Sequence, residues 1–359
     1  MNNRPPDRPW LVTGASGFLG RHLLQALDTA SVSRRIIALV RSEESWAAAD
    51  WTSPFEHVET LVGSFSDSDS WWEDPRLEHL GGIFHLAALV RHSRQDADEV
   101  YRVNVEGTKA MVRLAAPRQC RMVFVSTSGT VGCFERPGVM VDEGAPHCEA
   151  AVRHWPYYHS KILAERAARE LADELGVELV IVRPPVLLGP GDHRFRSTAT
   201  LIRFLRGKLP FVVAGGMHFT DIRDVARALV RIADIPTPRP VYHLPGVMCT
   251  IHEFFAEAAD VARATTNVGA PSPRAPAILP YRLAWLLAML NDRVGRVVRG
   301  KPFGLLPDPS LVEMASRYWS MESRYAEEEL GYRPRPGRET LADTIVWLRE
   351  NMPERTPTD

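Results

Sequence analysis

The segment from Gly14 to Gly20 reads Gly-Ala-Ser-Gly-Phe-Leu-Gly and lies between a short apolar run and an amphipathic stretch. The run 10–13 predicts a strand, and the leucines at 19, 23 and 27 repeat as they would on one side of a helix. A glycine turn that joins a strand to a helix leaves backbone N–H groups and the positive end of the helix dipole free for a phosphate. The turn therefore predicts a dinucleotide pyrophosphate site made by Gly14, Ser16, Gly17, Phe18, Leu19 and Gly20.

Short apolar and β-branched runs recur along the chain, with helical patterns between them. Their few polar interruptions are typical of strands buried on both faces. The alternation predicts an α/β fold, a doubly wound parallel sheet with right-handed crossovers. The predicted strands are Trp10–Thr13, Ile36–Val40, Val58–Val62, Ile83–Leu86, Arg121–Ser126 and Leu179–Arg183, with Val241–Leu244 as a candidate seventh.

The regular alternation ends after Arg183. Ligands of doubly wound sheets bind beyond the carboxyl ends of the strands, so we expect the later segments to fold over that edge as a smaller, interleaved substrate-binding region. The predicted division is a loose tail at 1–9, a nucleotide-binding domain at 10–185 to which 219–245 return, a substrate-binding region at 186–218 and 246–352, and a tail at 353–359.

Composition restricts the classes of partner. The formal net charge of −1 gives no global field that would favour nucleic acid or an anionic membrane. The polar, proline-rich start does not predict a signal peptide, and no apolar run reaches the roughly 18 residues of a membrane span. The four cysteines form no Cys-x-x-Cys pair, so we expect reduced cysteines in a cytoplasmic protein. No metal is predicted, because the spacing of His147, Cys148, His154 and His159 fits no common site.

Tyr157 and Lys161 stand four residues apart, just before a stretch that predicts a helix ending at Gly176. On a helix the two side chains share one face. An ordinary phenol, with a pKa of about 10, is a poor acid–base group at neutral pH, and a nearby ammonium would lower that pKa. The pair predicts a proton donor or acceptor, and a chance pair on a surface helix is the alternative.

Two serines, Ser126 and Ser128, lie at the carboxyl end of the fifth predicted strand. A hydroxyl at that edge of the sheet can hydrogen-bond and polarise a substrate carbonyl oxygen. The alternative is that these residues only cap the end of the strand.

Seven motifs occur in one order over residues 10–245, and together they resemble the extended short-chain dehydrogenases/reductases. They are Thr13-Gly14-x-x-Gly17-x-x-Gly20, His85-Leu86-Ala87-Ala88, Asn104-Val105-Glu106-Gly107-Thr108, Ser128, the Tyr157/Lys161 pair, Arg183-Pro184 leading to Gly189-Pro190-Gly191-Asp192, and Asp224-Val225-Ala226. The resemblance implies an NAD(P)-binding Rossmann fold and an oxidoreductase acting on CH–OH or C=O groups.

The same resemblance implies roles for single residues. Tyr157 would be the catalytic acid/base, Lys161 would lower its pKa and hold the nicotinamide ribose, and Ser128 would orient the substrate oxygen. Asn104 would support the site, or it would only make a hydrogen bond at the start of a helix. The implied cofactor contacts further along the chain are Ala87, Ala88, Ser126, Pro184 and Val186.

The end of the second predicted strand selects between NAD and NADP. Arg41 aligns with the discriminating position, where a guanidinium matches the geometry of a 2′-phosphate, and Ser42 could add a hydrogen bond. The acids Glu43 and Glu44 follow closely and would repel a phosphate if they pointed inward. NADP(H) is predicted, with NAD(H) as the alternative. Ser64 replaces the aspartate that holds the adenine amino group in many relatives.

The reaction class follows partly from the residues around these motifs. Gly129-Thr130 stand where sugar-nucleotide 4,6-dehydratases place an Asp-Glu pair, so that elimination lacks its acid and base. The apolar segment 183–188 suits an apolar carbonyl compound better than a diphosphate sugar. We predict an NADPH-dependent ketone reductase, or the reverse alcohol dehydrogenase. A sugar-nucleotide epimerase with tightly bound cofactor and a non-catalytic dinucleotide-binding regulator are the alternatives.

The C-terminal part contains an almost unbroken apolar stretch at 278–290. Its order of motifs resembles 3β-hydroxysteroid dehydrogenases and dihydroflavonol reductase-like enzymes. A helix that is apolar all round favours burial in the core, and a substrate lid, a membrane-surface contact or a subunit contact are the alternatives. The resemblance also implies a homodimer formed by the helix after Asn104 and the helix that carries Tyr157.

Overall fold

The computed structural model describes residues 8–29, 34–47, 55, 57–65, 71–91, 96–265, 273–299 and 308–352. The predicted tails therefore lie outside the described residues, except for Arg8 and Pro9. The strands are β1 (Trp10–Thr13), β2 (Ile36–Val40), β3 (Val58–Val62), β4 (Gly82–His85), β5 (Arg121–Val125), β6 (Cys133–Phe134), β7 (Leu179–Arg183), β8 (Val186–Leu188), β9 (Phe211–Val213), β10 (Gly216–Asp221), β11 (Val241–His243), β12 (Val247–Thr250), β13 (Ala277–Leu279) and β14 (Tyr318–Trp319). The helices are α1 (Phe18–Asp28), α2 (Glu43–Ala47), α3 (Ala97–Tyr101), α4 (Gly107–Ala115), α5 (Glu149–Val152), α6 (Pro156–Leu175), α7 (Ala199–Leu205), α8 (Ile222–Asp234), α9 (Ile251–Ala264), α10 (Tyr281–Arg299), α11 (Pro309–Ala315), α12 (Ala326–Leu330) and α13 (Gly337–Asn351).

Seven strands form one parallel sheet in the order β11-β7-β5-β4-β1-β2-β3. They are the seven predicted strands, with ends that differ by one residue in three of them. Helices cover both faces, which confirms the predicted doubly wound α/β fold.

The two faces of the large sheet bury different side chains of the same strands. Val12 packs with Leu23 of α1 and Leu229 of α8, whereas its neighbour Leu11 packs with Met111 of α4 on the opposite face. All five of these apolar side chains are fully buried. Burial of one such side chain stabilises the fold by about 1.5–3 kcal/mol, so the sheet is a rigid support for the loops at its edges.

A smaller unit is formed by segments that follow β7, together with β6, which precedes it in the chain. Its sheet has the order β12-β10-β14-β6, with β8 paired to β10, and β9 pairs separately with β13. Helices α7, α9 and α13 pack with this unit around Phe204, Phe254, Phe255 and Ile345. Strand β10 belongs to the smaller sheet. The chain returns to the large sheet only after it, with α8 and β11.

The apolar stretch 278–290 forms part of β13 and α10, but it is not a core helix. The small residues Ala284 and Ala288 are buried, while Leu286 and Leu290 are about half exposed. The prediction of a buried helix is therefore wrong, because small residues and not large apolar ones face the protein. None of the helices in the described part of the chain is both long enough and apolar enough to cross a membrane.

Candidate active site

The predicted site residues lie at one edge of the large sheet. Gly14, Arg41, Ser126 and Pro184 directly follow β1, β2, β5 and β7, and the segment of Ala87 comes two residues after β4. Because all seven strands are parallel, their carboxyl ends share this edge. The fold therefore brings together groups that are far apart in the sequence.

The glycine turn after β1 has the geometry of a phosphate cradle. Gly14 has a φ of +73°, and a Cβ there would lie 2.8 Å from the backbone nitrogen of Ala87. A Cβ on Gly20 would lie 2.2 Å from the Gly14 carbonyl oxygen, so the helix can start this close to the turn only with glycine. No side chain caps the N-terminus of α1, and its first turn holds no acid. These N–H groups fit a pyrophosphate.

Asn104 connects two parts of the site. It lies in a π-helical turn at Arg102–Glu106, buried, and its amide exchanges hydrogen bonds with the backbone of Leu89 at 2.7 and 3.0 Å. Its Nδ2 also donates to the Ser160 hydroxyl at 2.9 Å, and that hydroxyl donates to the Tyr157 carbonyl at 2.7 Å. This bridge between the loop after β4 and the first turn of α6 favours a supporting role over a simple hydrogen bond at a helix start.

Tyr157 and Lys161 lie in the first two turns of α6. Lys161 is buried, its Nζ donates to the Val125 carbonyl at 2.7 Å, and it lies 4.2 Å from the centroid of the Phe124 ring. Burial lowers the pKa of Lys161 to about 7, against the opposing charge of Glu165. Burial raises the pKa of Tyr157 to about 12, which is opposite to the predicted direction. Desolvation disfavours the charged form of both groups.

We expect Lys161 to make stability depend on pH above neutrality in the protein without dinucleotide. Between pH 7 and 10.5 the unfolded chain holds a proton on this amine that the folded chain has lost, so stability rises with pH in this window. The slope should be up to about 1.4 kcal/mol per pH unit. Urea unfolding at several pH values should show this slope in the wild type and not in Lys161→Met. Equal slopes would contradict the low pKa.

Ser128 begins a short 3₁₀ turn, Ser128–Thr130, directly beyond β5. Its backbone N–H donates to the Pro184 carbonyl at 2.8 Å, which ties the ends of β5 and β7 together. A Cβ on Gly129 would lie 2.3 Å from the Tyr158 ring, so the turn packs on the start of α6. The fold thus brings Ser128 to the same region as Tyr157.

Some of the residues after β2 and β3 that are predicted to contact the cofactor have partners within the protein. Arg41 is exposed at the sheet edge. The backbone N–H of Glu44 and the Ser42 hydroxyl lower the pKa of Glu44, so that hydroxyl already has an acceptor. Glu43 accepts from Thr60 at 2.7 Å and is therefore directed toward β3. The Ser64 carbonyl accepts from the Trp71 indole at 2.9 Å.

Arg194 is a candidate cofactor residue that the sequence did not indicate. Its Nη2 lies 3.4 Å from the Ser16 hydroxyl, although the two residues are 178 positions apart. Its loop is fixed by Asp192, which accepts from the Thr198 N–H and hydroxyl at 3.0 Å each. Burial lowers the pKa of Arg194, and the nearby charge of Arg41 adds to that shift. Among the described residues no carboxylate forms an ion pair with either arginine, although the charge of Asp192 acts on Arg194 and opposes the fall of its pKa, so this edge keeps an excess of positive charge.

A buried ion pair joins the helix of Tyr157 to the large sheet. Glu165 and Arg183 are almost completely buried, and Arg183 donates to both carboxylate oxygens, at 2.5 and 3.1 Å. His147 and Thr130 complete the shell around the carboxylate at 2.8 and 3.1 Å. Burial alone would raise the pKa of Glu165, but Arg183 and these hydrogen bonds hold it well below its usual range. The pair joins α6 to β7, and so holds the Tyr157 helix against the sheet.

The four residues considered for a metal have other partners. His147 contacts Glu165, His154 contacts Glu313, and His159 contacts Glu149. The Cys148 thiol donates to the Gly129 carbonyl at 3.4 Å. Within the described ranges, no group of three or more His, Cys, Asp or Glu side chains could hold a metal ion.

An aromatic wall lies beside Tyr157. Its ring centroid is 5.3 Å from that of Tyr158, which is 4.9 Å from that of Trp319. Trp155 and Met314 pack behind this wall. Pro184 is buried and Val186 is 43% exposed, so the segment after β7 is apolar where it reaches the surface. The surroundings of the phenol are therefore mostly apolar.

Comparison with known proteins agrees with this geometry. Residues 10–244 match the NAD dependent epimerase/dehydratase family. The chain belongs to this family. Membership confirms the resemblance to extended short-chain dehydrogenases/reductases and indicates that a nicotinamide dinucleotide is the cofactor of this fold.

Two relatives within the wider family match nearly the whole chain. Sterol demethylase protein B of Methylococcus capsulatus is 28% identical over 353 residues, which cover 95% of this chain and 98% of that protein. The 4-hydroxy-2-methyl-3-oxo-4-farnesyl-3,4-dihydroquinoline-1-oxide ketoreductase of Stigmatella aurantiaca is 30% identical, with 95% and 96% covered. Among solved structures, the crystal structure of gox2253 has a TM-score of 0.75 and 26% identity, with 96% and 99% covered. These similarities place the family member described here among the NAD(P)-dependent oxidoreductases.

Proposed function

We propose that the protein is an NADPH-dependent ketone reductase, or the reverse alcohol dehydrogenase, for a largely apolar substrate. The observation that carries the proposal is the placement of Tyr157, Lys161 and the Ser128 turn at the sheet edge that also holds the glycine turn. A bound dinucleotide would supply or accept the hydride. The protein's own groups manage the substrate oxygen and its proton.

Each of these groups has one task in the proposed reduction. The Ser128 hydroxyl would donate a hydrogen bond to the substrate carbonyl and polarise it. Tyr157 would donate its proton to the same oxygen, and the high pKa caused by burial keeps the phenol protonated at neutral pH. Lys161, in its ammonium form, would stabilise the phenolate that remains. Asn104 positions the helix and the loop around them.

The apolar nature of the substrate is inferred from the site and from the relatives. The wall formed by Tyr158 and Trp319, with Trp155 behind it, offers aromatic surface and few charges. Such a surface suits rings or long chains better than a diphosphate sugar. The two relatives named for sterol demethylation and for reduction of a farnesylated dihydroquinoline oxide agree with a substrate of this class.

An assay of NADPH consumption against a panel of carbonyl compounds tests the proposal. The panel should include steroid, flavonoid, quinone-like, β-keto acyl and sugar-nucleotide carbonyls. We expect consumption with one of the apolar classes and none with the sugar nucleotides. Cofactor that co-purifies and survives gel filtration, without consumption of added NADPH, would favour a sugar-nucleotide epimerase instead.

The preference for NADPH is inferred from Arg41 and Arg194. Ser16 lies in the pyrophosphate turn and Arg41 lies at the end of β2, so a guanidinium that interacts with both is close to where an adenosine ribose would bind. A 2′-phosphate would neutralise the two unpaired cations. The Ser42 hydroxyl is less suited to contact a 2′-phosphate, because it donates a hydrogen bond to Glu44.

Replacing Arg41 with aspartate should shift the ratio of kcat/KM for NADPH over NADH toward NADH by about 10- to 100-fold, since one charged hydrogen bond contributes about 1.5–3 kcal/mol. Arg194→Ala should shift the ratio in the same direction. The matched control is Arg35→Asp, because Arg35 lies just before β2, at the opposite edge of the sheet, and pairs with Glu59. An unchanged ratio in both variants would mean that the phosphate contacts are misplaced.

We also propose that the protein forms a homodimer through α4 and α6. These helices pack side by side on one face of the large sheet and carry the partly buried apolar residues Ala110, Leu163 and Ala167. Sedimentation equilibrium of the wild type tests this proposal.

A further inference from the structure

Helix α10 presents large apolar side chains to the surface. Leu283, Leu286, Leu290, Val294 and Val297 follow one another at intervals of three or four residues, and all are between 45% and 86% exposed. Residues at these intervals lie on one side of a helix. The opposite side, with Ala284 and Ala288, packs on α11 and β9. An apolar stripe of this length on the surface of a folded protein indicates a binding surface.

The same helix is basic. It contains four arginines, at 282, 293, 296 and 299, and one acid, Asp292. Arg282 and Arg293 are exposed, and their positions place them along one border of the apolar stripe. The whole chain has a net charge of −1, so this positive charge is local. An apolar face of leucines and valines, bordered by arginines, is the pattern of a helix that lies in the plane of a membrane surface.

We propose that α10 binds the surface of an anionic lipid bilayer, with the leucine stripe among the acyl chains and the arginines at the level of the headgroups. Trp285, 39% exposed, lies farther round the helix than Arg282 and Arg293 and is therefore outside the stripe. Neither α10 nor β13 has a role in the proposed chemistry, so this surface is additional to the active site.

A second copy of the chain fits this face less well. In a strict heptad that starts at Leu283 and Leu286, the next seam positions are Leu290 and Arg293. A parallel helix pair in register would bring Arg293 against its own copy, and each helix carries an excess of positive charge. A bilayer with anionic headgroups instead gives Arg282 and Arg293 a counter-charge.

The proposed membrane surface is close to the substrate side of the molecule. Helix α10 packs on α11, and Met314 of α11 packs with Trp155 in the aromatic cluster beside Tyr157. Tyr281, at the start of α10, lies near Glu313 of α11. Docking through α10 would therefore hold the aromatic wall near the lipid, where an apolar compound is concentrated.

Co-sedimentation with vesicles tests the proposal. We expect the wild type to bind vesicles of phosphatidylcholine with phosphatidylglycerol and to bind pure phosphatidylcholine weakly. The double variant Leu286→Ser/Leu290→Ser should lose at least about tenfold in partition coefficient, since both side chains are apolar and exposed. Arg282→Gln/Arg293→Gln should lose about 10- to 30-fold on the anionic vesicles only, at about 1 kcal/mol for each charge.

Two controls separate this surface from others. Leu175→Ser/Val346→Ser removes two apolar side chains of similar exposure on α6 and α13, and should bind like the wild type. Lipids brominated in the acyl chains should quench a larger share of the tryptophan fluorescence in Leu286→Trp than in the wild type, because position 286 lies in the stripe. The thermal unfolding midpoint of each variant should be close to that of the wild type, which would show that the fold is intact.

Three results would overturn the proposal. The wild type could fail to sediment with anionic vesicles, or the Leu286/Leu290 variant could bind them as well as the wild type does. Self-association in the absence of lipid, lost in that variant, would instead assign the face to a second copy of the chain. Each of these results leaves the proposed reductase activity untouched, because the activity is measured with soluble substrates and NADPH.

Discussion

Tyr157→Phe should lower kcat by about 10²–10⁴-fold, the range that general acid–base catalysis contributes, and leave the Kd for the dinucleotide nearly unchanged. The substitution removes one hydroxyl and keeps the ring on Tyr158. Because burial raises the pKa of Tyr157 to about 12, the group that is lost is a protonated phenol. Single-turnover rates with a reactive carbonyl, and dinucleotide binding by fluorescence, measure the two quantities.

The adjacent tyrosine supplies the control for this experiment. Tyr158 is also a buried phenol, and burial raises its pKa well above the usual range. Its ring packs on Trp319, so Tyr158→Phe keeps the aromatic wall and should keep most of the activity. Normal turnover in Tyr157→Phe, or an equal loss in both variants, would assign the proton to a different group.

The large sheet could be predicted because most of its strands are buried on both faces, the edge strand β3 being the exception. Runs such as Ile36–Val40 are apolar at every position, and the structure buries all five residues. The smaller sheet could not be predicted in this way. Apart from β10, its strands are two to four residues long, and Val247–Thr250 has no buried residue. β14 is only two residues long and joins β10 through a single paired position. The pattern of apolar residues predicts a strand poorly where that strand is only partly buried.

The start of helix α9 has a sequence pattern that predicts a helix N-terminus, although this helix is not among the elements predicted above. Thr250 and Glu253 form a reciprocal capping box at its N-terminus, and this spacing is a recognisable helix start. Helix α10 was misinterpreted for another reason. Its large apolar residues predict burial by composition, but the alanines at 284 and 288 are the residues that contact the protein. Composition does not tell which side of a helix faces the core.

The candidate site was predictable to the extent that its residues follow strand ends. Motifs placed Gly14, Ser128 and Tyr157 correctly on the turn, the strand end and the helix that the structure contains. The contact of Arg194 with Ser16 could not be predicted, because it depends on how the loop after β8 closes over the turn. The sequence did not predict the rise of the Tyr157 pKa, because burial of the phenol, rather than the nearby lysine, determines it.

The buried pair of Glu165 and Arg183 could have been suspected, since Glu165 lies one turn after Lys161 on the same face of α6. The structure adds that both side chains are almost fully buried, with at most 3% exposed. Removal of one partner of such a pair leaves an uncompensated charge in the interior. The pair joins the helix of Tyr157 to the strand that leads to Pro184, so its loss affects both stability and the site.

Arg183→Met should lower the free energy of unfolding by about 3–5 kcal/mol at neutral pH, because Glu165 stays buried without its counter-ion. The double variant Arg183→Met/Glu165→Leu should recover a large part of this loss, since no charge is then left unpaired. Urea unfolding of the two single variants and the double variant gives the coupling energy. Arg35→Met breaks an exposed pair with Glu59, in which both side chains are more than 40% exposed, and should cost less than about 1 kcal/mol. If Arg183→Met costs no more than Arg35→Met, the buried pair does not hold α6 to the sheet, and the position of Tyr157 must depend on other contacts, such as the Asn104 bridge and the Lys161 hydrogen bond to Val125.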